Sequence, residues 1–301
     1  MTRVLTYNIH SGVGGDGEYD VKRVASVVAS VGASIVCLQE VESNMTEGRA
    51  RVFSGTHSDD QPSLIAQECG LEHVFFSASV EASVLSEGGS NGEVLQYTPG
   101  IRYGNCILSK YPILKRRVLH YRPKSLSMER IYMDKEEQPR NAQAALLDAP
   151  ELGGKVWIVN THFCHLPWRA AHKRQARQLL EWIEGFYTEH PILLCGDFNS
   201  PPSFPWTAYR ILLGENWWDL CSEAGVTFPS AYYRKRPTCN KWLFSRLYHA
   251  KLDHILTNDP RLQSQRCQVV HQTPNSVLAS DHCGLWCEVI APPKSQDFFV
   301  V

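Results

Sequence analysis

The sequence lacks several features that would assign it to a common class of protein. No apolar run approaches the ~18 residues of a membrane-spanning helix, and no apolar segment follows Arg3, the first basic residue. The 30 basic and 31 acidic residues leave a net charge of −1, which excludes a uniformly basic surface for gripping nucleic acid or anionic membrane. A P-loop and a Gly-x-Ser-x-Gly elbow are both missing, so the sequence gives no support for an NTPase or a serine hydrolase.

Cysteine is present, but not in a metal-binding or disulfide pattern. The ten cysteines are spread along the chain without a Cys-x-x-Cys pair. We therefore expect free, mostly buried thiols in the cytoplasm or another soluble intracellular compartment.

The remaining composition suits a large folded domain. Of the 301 residues, 43% are hydrophobic, and short apolar runs alternate with helical patterns from end to end. Asp20 is expected to cap a helix that Gly32 ends, and a second helix is predicted at about 169–187. Strands are predicted at residues 4–7, 34–38, 105–109, 142–147, 156–160, 192–195, 252–257, 268–271 and 285–290.

Polar residues are concentrated where the predicted strands begin or end. In sheet proteins, ligands gather at strand ends because a rigid scaffold can direct several side chains to one point. We therefore expect one convergent polar cluster. Its candidates are Asn8, His10, Gln39, Glu40, Thr161, His162, Asp197, Asn199, Asp253, Asp281 and His282. His254 follows Asp253 on a predicted strand and is therefore expected to point to the opposite face, away from the site.

The residue types in this cluster indicate a metal and a reaction. Carboxylate and amide oxygens suit a hard cation such as Mg²⁺, whereas zinc would favour more His or Cys. Histidines beside such a cation could activate water and stabilise charge on phosphoryl oxygens. The cluster therefore points to hydrolysis of a phosphate ester. A zinc site at Cys164, His165 and His172 with His162 is a weaker alternative, because Pro167 interrupts the helical spacing.

Seven short motifs, in this order along the chain, resemble those of the endonuclease/exonuclease/phosphatase superfamily. That superfamily includes deoxyribonucleases, abasic-site endonucleases, inositol polyphosphate 5-phosphatases, sphingomyelinases and deadenylases. The resemblance covers about residues 3–290. The motifs are Thr6-Tyr7-Asn8, Leu38-Gln39-Glu40-Val41, Tyr103 to Ser109, Asn160-Thr161-His162, Gly196-Asp197-Phe198-Asn199, Leu252-Asp253-His254-Ile255 and Ser280-Asp281-His282.

The resemblance implies a fold and an activity. The implied fold is a four-layer α/β sandwich, with two mixed β-sheets packed face to face and helices outside. Because motifs from both ends of the chain must meet in one site, residues 1–301 are expected to form a single catalytic domain. The implied activity is that of a Mg²⁺- or Mn²⁺-dependent phosphoesterase, most simply a phosphodiesterase.

Individual roles also follow from the resemblance. The implied metal ligands are Glu40, Asn8 and Asp281. The implied catalytic residues are Asp197, which orients or deprotonates water, Asn199, His162, and His282 with its carboxylate partner Asp253. Tyr103 and Asn105 match a segment that lines the cleft. Arg140 lies outside the seven motifs, and it could either bind the substrate phosphate or form an ion pair on the surface.

The substrate is the least constrained part of the prediction. Residues 224–252 contain six basic residues, several aromatics and no acid before Asp253, a pattern typical of binding to single-stranded nucleic acid, although a solvated loop would look the same. Nucleic acid is therefore favoured slightly over a phospholipid or inositol phosphate. A binding module that has lost catalysis is the alternative from another class. No membrane-spanning segment is expected.

Overall fold

The computed structural model describes most of the chain. It covers residues 1–43, 57–81, 102–121, 139–165, 170–185, 190–205, 207–229, 250–270 and 277–291. Within these residues, twelve strands form two six-stranded sheets. The strands are β1 (Thr2–Asn8), β2 (Ile35–Ser43), β3 (His73–Glu81), β4 (Arg102–Ser109), β5 (Ile113–His120), β6 (Asn141–Ala149), β7 (Gly154–His162), β8 (Ile192–Asp197), β9 (Trp218–Asp219), β10 (Asp253–Thr257), β11 (Gln263–Val270) and β12 (Gly284–Ile290).

Both sheets are mixed. The first has the order β11-β12-β1-β2-β4-β3 and the second has the order β5-β6-β7-β8-β10-β9. The pairs β1/β2 and β7/β8 are parallel, and the other described pairs are antiparallel. Each sheet therefore has a parallel pair at its centre, whose strands end at the same edge.

Helices cover the outer faces of the sheets. The described α-helices are α1 (Val21–Val31), α2 (Gln61–Cys69), α3 (Ala170–Glu184) and α4 (Ala208–Gly214). As the sequence predicted, the Asp20 side chain accepts a hydrogen bond from the Arg23 backbone N–H at 2.9 Å, and Gly32 ends α1 in a left-handed conformation. None of the helices in the described ranges is long and apolar enough to cross a membrane.

The apolar residues divide into three main clusters that correspond to the spaces between layers. One fills the space between the two sheets, one lies between the first sheet and α1 with α2, and one lies between the second sheet and α3 with α4. The result is the predicted four-layer α/β sandwich, with two mixed sheets packed face to face and helices outside. Representative core residues of the three layers are Ile158 and Leu285, Val24 and Leu38, and Leu179 and Leu194.

Buried amide side chains tie the sheets together near one edge. The Gln39 side chain on β2 donates to Asn160 Oδ1 on β7 at 2.8 Å. Asn160 in turn donates to the Leu38 and Cys106 carbonyls of the first sheet, at 2.9 and 3.0 Å. A buried amide stabilises a core only when it is hydrogen-bonded, so these contacts fix how the two sheets sit against each other.

Several sequence expectations need correction. The strand predicted at 34–38 extends to Ser43, and residues 73–81 and 113–120 form strands that are absent from the predicted set. The short helices α2 and α4 were also missed. The composition of residues 43–60, 81–100 and 121–140 predicts loops, and most of each lies outside the described residues, as do residues 230–249 of the basic segment.

Gly196, in β8, is required by a close approach of two backbones. Its φ is +151°, and a Cβ at this position would lie 1.9 Å from the Thr161 carbonyl oxygen of β7. Backbone atoms in paired strands cannot move apart easily. We therefore predict that Gly196→Ala lowers the free energy of unfolding by about 3 kcal/mol or more, measured by urea denaturation.

Gly214 is the matched control for that measurement, because nothing lies within 4 Å of a Cβ added there. Gly214→Ala should change the free energy of unfolding by less than about 1 kcal/mol. Equal effects of the two substitutions would contradict the packing argument.

Candidate active site

The polar residues predicted from the strand ends do meet at one edge of the sandwich. The parallel strands β1, β2, β7 and β8 end there, and their antiparallel neighbours β6, β10 and β12 begin there. The edge therefore receives side chains from both sheets. They are Asn8, Glu40, Arg140, His162, Asp197, Asp253, Asp281 and His282.

Strand register places three of these residues in one row. His162 pairs with Asp197 across the parallel β7/β8 ladder, and Asp197 pairs with Asp253 across the antiparallel β8/β10 ladder. Partners in a ladder point to the same face of a sheet. Two buried carboxylates therefore face each other on neighbouring strands, which requires positive charge or hydrogen-bond donors between them.

His282 supplies that charge. Its Nδ1 lies 2.8 Å from Asp253 Oδ2, and its Nε2 lies 3.5 Å from Asp197 Oδ2. Burial alone would lower the pKa of His282, but the charges of Asp253 and Asp197 outweigh burial and raise the pKa to about 10. His282 is therefore an imidazolium at neutral pH, held between two acids.

Asp197 is almost completely buried, and both of its carboxylate oxygens accept hydrogen bonds. Its Oδ2 accepts a hydrogen bond from Asn8 Nδ2 at 3.0 Å, and its Oδ1 accepts the backbone N–H of Asn199 at 2.8 Å. Burial raises the pKa of Asp197 to about 7, although His282 and Asn8 oppose this rise. A carboxyl group with a pKa near 7 can take up and release a proton under physiological conditions.

His162 has the opposite electrostatic character to His282. Arg140 Nη1 lies 2.8 Å from His162 Nδ1, and a guanidinium can only donate, so Nδ1 carries no proton. The neutral ring must then carry its proton on Nε2, which lies 3.3 Å from Asp197 Oδ2. Burial and the charge of Arg140 both lower the pKa of His162 well below 6.5. His162 is thus a neutral hydrogen-bond donor facing the site.

Glu40 enters the site through an irregularity in β2. Leu38 pairs with Cys106 and Val41 with Gly104, so Gln39 and Glu40 together oppose one residue of β4. Such a bulge redirects the side chain of the extra residue. Glu40 also has a left-handed backbone, with φ at 55°, and its carboxylate lies 3.3 Å from Asn8 Nδ2 and 3.9 Å from His162 Nε2.

The donor set fits a hard cation. Glu40, Asn8 and Asp281 carry oxygen atoms of the kind that bind such an ion, and the Glu40 side chain is 17% exposed and so reachable by it. Deeper in, Asp253 Oδ1 is buried and has no hydrogen-bond partner within the described ranges. Among the described residues, Asp197, Asp253 and His282 bring three atoms of the ligand type within 4.8 Å of one another, but the protonated His282 ring has no lone pair for a metal and itself supplies the positive charge there.

The Asn8 amide has a defined orientation in this structure. Its Oδ1 accepts the backbone N–H of His10 at 3.0 Å, which turns Nδ2 toward Glu40 and Asp197. A carbonyl oxygen has a second lone pair, so Oδ1 can still take a cation as a further partner. Asp281 lies beside this region, since the Ser280 hydroxyl contacts both the Asn8 carbonyl at 2.7 Å and Asp281 Oδ1 at 3.3 Å.

The three residues predicted to contact substrate occupy different positions. Arg140 is buried, and its guanidinium joins His162 to the Tyr103 hydroxyl, which lies 3.3 Å away. Tyr103 is half-buried beside it. The Asn105 side chain instead donates to Asn141, at 2.7 Å to Oδ1 and 3.0 Å to the carbonyl oxygen, and so links β4 to β6.

Two further histidines hold the segment that carries Asp197 and Asn199. His172 Nε2 donates to the Phe198 carbonyl at 2.7 Å, and His254 Nε2 donates to the Ser200 carbonyl at 3.1 Å. Burial lowers the pKa of His172 to about 4, so this ring is neutral. The contacts of His172 with backbone leave the zinc alternative without support. Spacing alone did not suggest this role, because both bonds join distant parts of the chain.

The described ends of the basic segment lie against the site, but not all of its charge is available. The Phe228 ring is 4.8 Å from the His282 ring, and Phe228 pairs with Ala250. Lys251, one of the six basic residues, is buried and forms an ion pair with Asp219 at 2.7 Å. Its positive charge therefore has a structural partner.

The role of Asp253 can be tested through the pKa of His282. Asp253→Asn removes a charge 2.8 Å from the ring, so the pKa of His282 should fall from about 10 toward or below 6.5. The wild-type ring should stay protonated from pH 6 to 9 and lose its proton only as the pH rises through about 10. Histidine NMR titration measures both values. An unchanged pKa in the variant would refute the assigned ion pair.

Comparisons with known proteins agree with this architecture. The family model of the Endonuclease/Exonuclease/phosphatase family matches residues 5–282 of this chain. The uncharacterized protein YbhP of Escherichia coli K12 is 29% identical over 200 residues, which are 66% of this chain and 66% of that protein. The chain thus spans just under two thirds of the length of this curated relative.

Solved structures share the fold at low identity. The endonuclease/exonuclease/phosphatase of Beutenbergia cavernae is 22% identical with a TM-score of 0.70, covering 96% of this chain and 71% of that one. A mannosyl-6-phosphatase of Bacteroides thetaiotaomicron is 15% identical with a TM-score of 0.63, covering 96% and 100%. Zebrafish TDP2, solved with a single-strand DNA product, is 13% identical with a TM-score of 0.60, covering 96% and 98%.

Structural likeness at such identities shows the fold and not the substrate. The family match extends over nearly the whole chain, from within β1 to His282 just before β12, and it includes each of the residues gathered at this edge. On that match, the chain belongs to the endonuclease/exonuclease/phosphatase family, whose members are metal-dependent hydrolases of phosphoester bonds.

Proposed function

We propose that this protein is a Mg²⁺- or Mn²⁺-dependent phosphodiesterase that cleaves nucleic acid. The observation that supports this most strongly is the state of Asp197. A buried carboxyl group with a pKa near 7 lies between a neutral histidine donor, His162, and a cationic histidine, His282. Hydrolysis of a phosphoester needs a base for the attacking water and hydrogen-bond donors for the phosphoryl oxygens. Here both histidine donors lie within 3.5 Å of the base, measured from Asp197 Oδ2 to each Nε2.

Each residue has a role in this proposal. Asp197 takes the proton of the attacking water, and the Asn199 backbone N–H keeps the carboxylate oriented. The imidazolium of His282 binds the phosphoryl oxygens, where negative charge develops, and Asp253 maintains that charge. His162 donates from Nε2 to the same group.

The metal would be held by Glu40, Asn8 and Asp281. A bound divalent ion supplies Lewis-acid polarisation of the phosphoryl group and lowers the pKa of water. Asn199 is the remaining member of the proposed catalytic residues. Arg140 and Tyr103 are proposed to lie on the side of the site where the substrate phosphate binds. Asn105 supports that side from behind, through its bonds to Asn141.

We also propose that residues 1–301 act as one catalytic domain. The first sheet supplies Asn8, Glu40 and the residues before β12, and the second supplies His162, Asp197 and Asp253. Because neither sheet carries the whole set, the two halves cannot act separately.

The sequence of the basic segment supports nucleic acid as the substrate. Phe228 and Ala250 pair next to His282, and the sequence between them contains five basic residues and no acid. Basic residues in a segment of this composition would attract the phosphates of a polynucleotide. The basic residues are Arg234, Lys235, Arg236, Lys241 and Arg246.

The proposed base is tested by a substitution that keeps its shape. Asp197→Asn should lower kcat for bis(p-nitrophenyl) phosphate by about 10²- to 10⁴-fold, because the amide cannot accept the proton of water. Asp148→Asn is the matched control. Asp148 lies exposed on β6, so this variant should retain the wild-type kcat. Near-full turnover by a folded Asp197→Asn protein would contradict the assignment.

The substrate class is tested with a panel of labelled single-stranded DNA, RNA, sphingomyelin and inositol phosphates. We expect cleavage of nucleic acid that stops with EDTA and returns with added Mg²⁺ or Mn²⁺. Cleavage of lipid or inositol phosphate alone would overturn the nucleic-acid preference. No cleavage of any substrate, with no metal bound, would favour a binding module.

A further inference from the structure

His10 lies beside the proposed metal ligands in an unusual backbone segment. His10, Ser11 and Gly12 have φ values of 47°, 54° and 80°, so three successive residues adopt the left-handed conformation. For residues other than glycine this conformation costs energy and persists only where surrounding contacts enforce it. Here the Gln61 side chain holds the Ser11 carbonyl at 2.9 Å. The segment is therefore fixed in a costly shape directly after Asn8.

That shape directs both the backbone and the ring of His10 into the site. The His10 backbone N–H orients the Asn8 amide, as described above. The ring Nδ1 lies 3.2 Å from the Val13 carbonyl oxygen, which can only accept, so Nδ1 carries a proton. In the neutral ring, Nε2 then has a lone pair that can bind a cation.

This lone pair faces a carboxylate at a distance that suits an ion. His10 Nε2 lies 4.0 Å from Asp281 Oδ2, and each side chain is 10% exposed. The distance is too long for a direct hydrogen bond. Two ligand atoms bound to one metal ion at about 2.1 Å each can be at most about 4.2 Å apart, so one ion can touch both.

We propose that His10 Nε2 and Asp281 Oδ2 bind the same divalent metal ion, which makes His10 a metal ligand in addition to Glu40 and Asn8. The inference rests on the proposed function, because it uses the metal proposed there. It also predicts a preference among ions. An imidazole nitrogen binds transition-metal ions better than Mg²⁺, which prefers oxygen, so the site should bind Mn²⁺ more tightly than Mg²⁺.

The test uses Mn²⁺ as a spectroscopic probe. In the 301-residue protein loaded with Mn²⁺, electron spin echo envelope modulation should show coupling to a directly bound ¹⁴N nucleus. His10→Asn removes the imidazole but suits the left-handed backbone. We expect this variant to lose the ¹⁴N coupling and to bind Mn²⁺ about tenfold or more weakly by isothermal titration calorimetry, with a smaller loss for Mg²⁺.

His120→Asn is the control, because His120 is exposed on β5 and should leave the coupling intact. Coupling that persists in His10→Asn would show that another histidine binds the metal, and it would overturn the inference. Bound Mn²⁺ without ¹⁴N coupling in the wild type would overturn it as well, while leaving the proposed function standing. Failure of the wild type to bind Mn²⁺ would overturn both.

Discussion

Two buried carboxylates placed opposite each other on neighbouring strands are the constraint on which the rest of the site depends. Asp197 and Asp253 are ladder partners in β8 and β10, and neither can be charged there without a compensating group. His282 supplies the compensation from the other sheet, and its pKa is raised to about 10 in consequence. Asp197 in turn keeps a pKa near 7. The proposed acid–base chemistry is thus a consequence of strand register.

The geometry also depends on contacts that hold the two sheets together. His282 must stay 2.8 Å from Asp253, although the two residues belong to different sheets. The buried bonds from Gln39 to Asn160 and from Asn105 to Asn141 cross the same space close to the site. These bonds hold the two sheets in place near the site, where a small shift of one sheet against the other would separate His282 from Asp253. Left-handed backbone at Glu40 and Asn199 then aims the remaining side chains.

Much of this arrangement could be predicted from the sequence. Asp20 and Gly32 mark the ends of α1 through local bonding, and the four-layer architecture follows from motifs in a recognisable order. What could not be predicted depends on contacts between distant residues. The tautomer of His162 is set by Arg140, and the charge of Lys251 is taken up by Asp219. The bulge at Glu40 likewise arises from pairing with β4, which a single strand's pattern does not contain.

The central claim is that this edge of the sandwich holds a catalytic divalent metal beside Glu40 and the row formed by His162, Asp197 and Asp253. Crystals soaked in Mn²⁺ and measured at the manganese absorption edge test it most directly. We expect a strong anomalous difference peak within coordination distance of the Glu40 carboxylate. A map with no peak at this edge, from crystals in which the site is open to solvent, would contradict it.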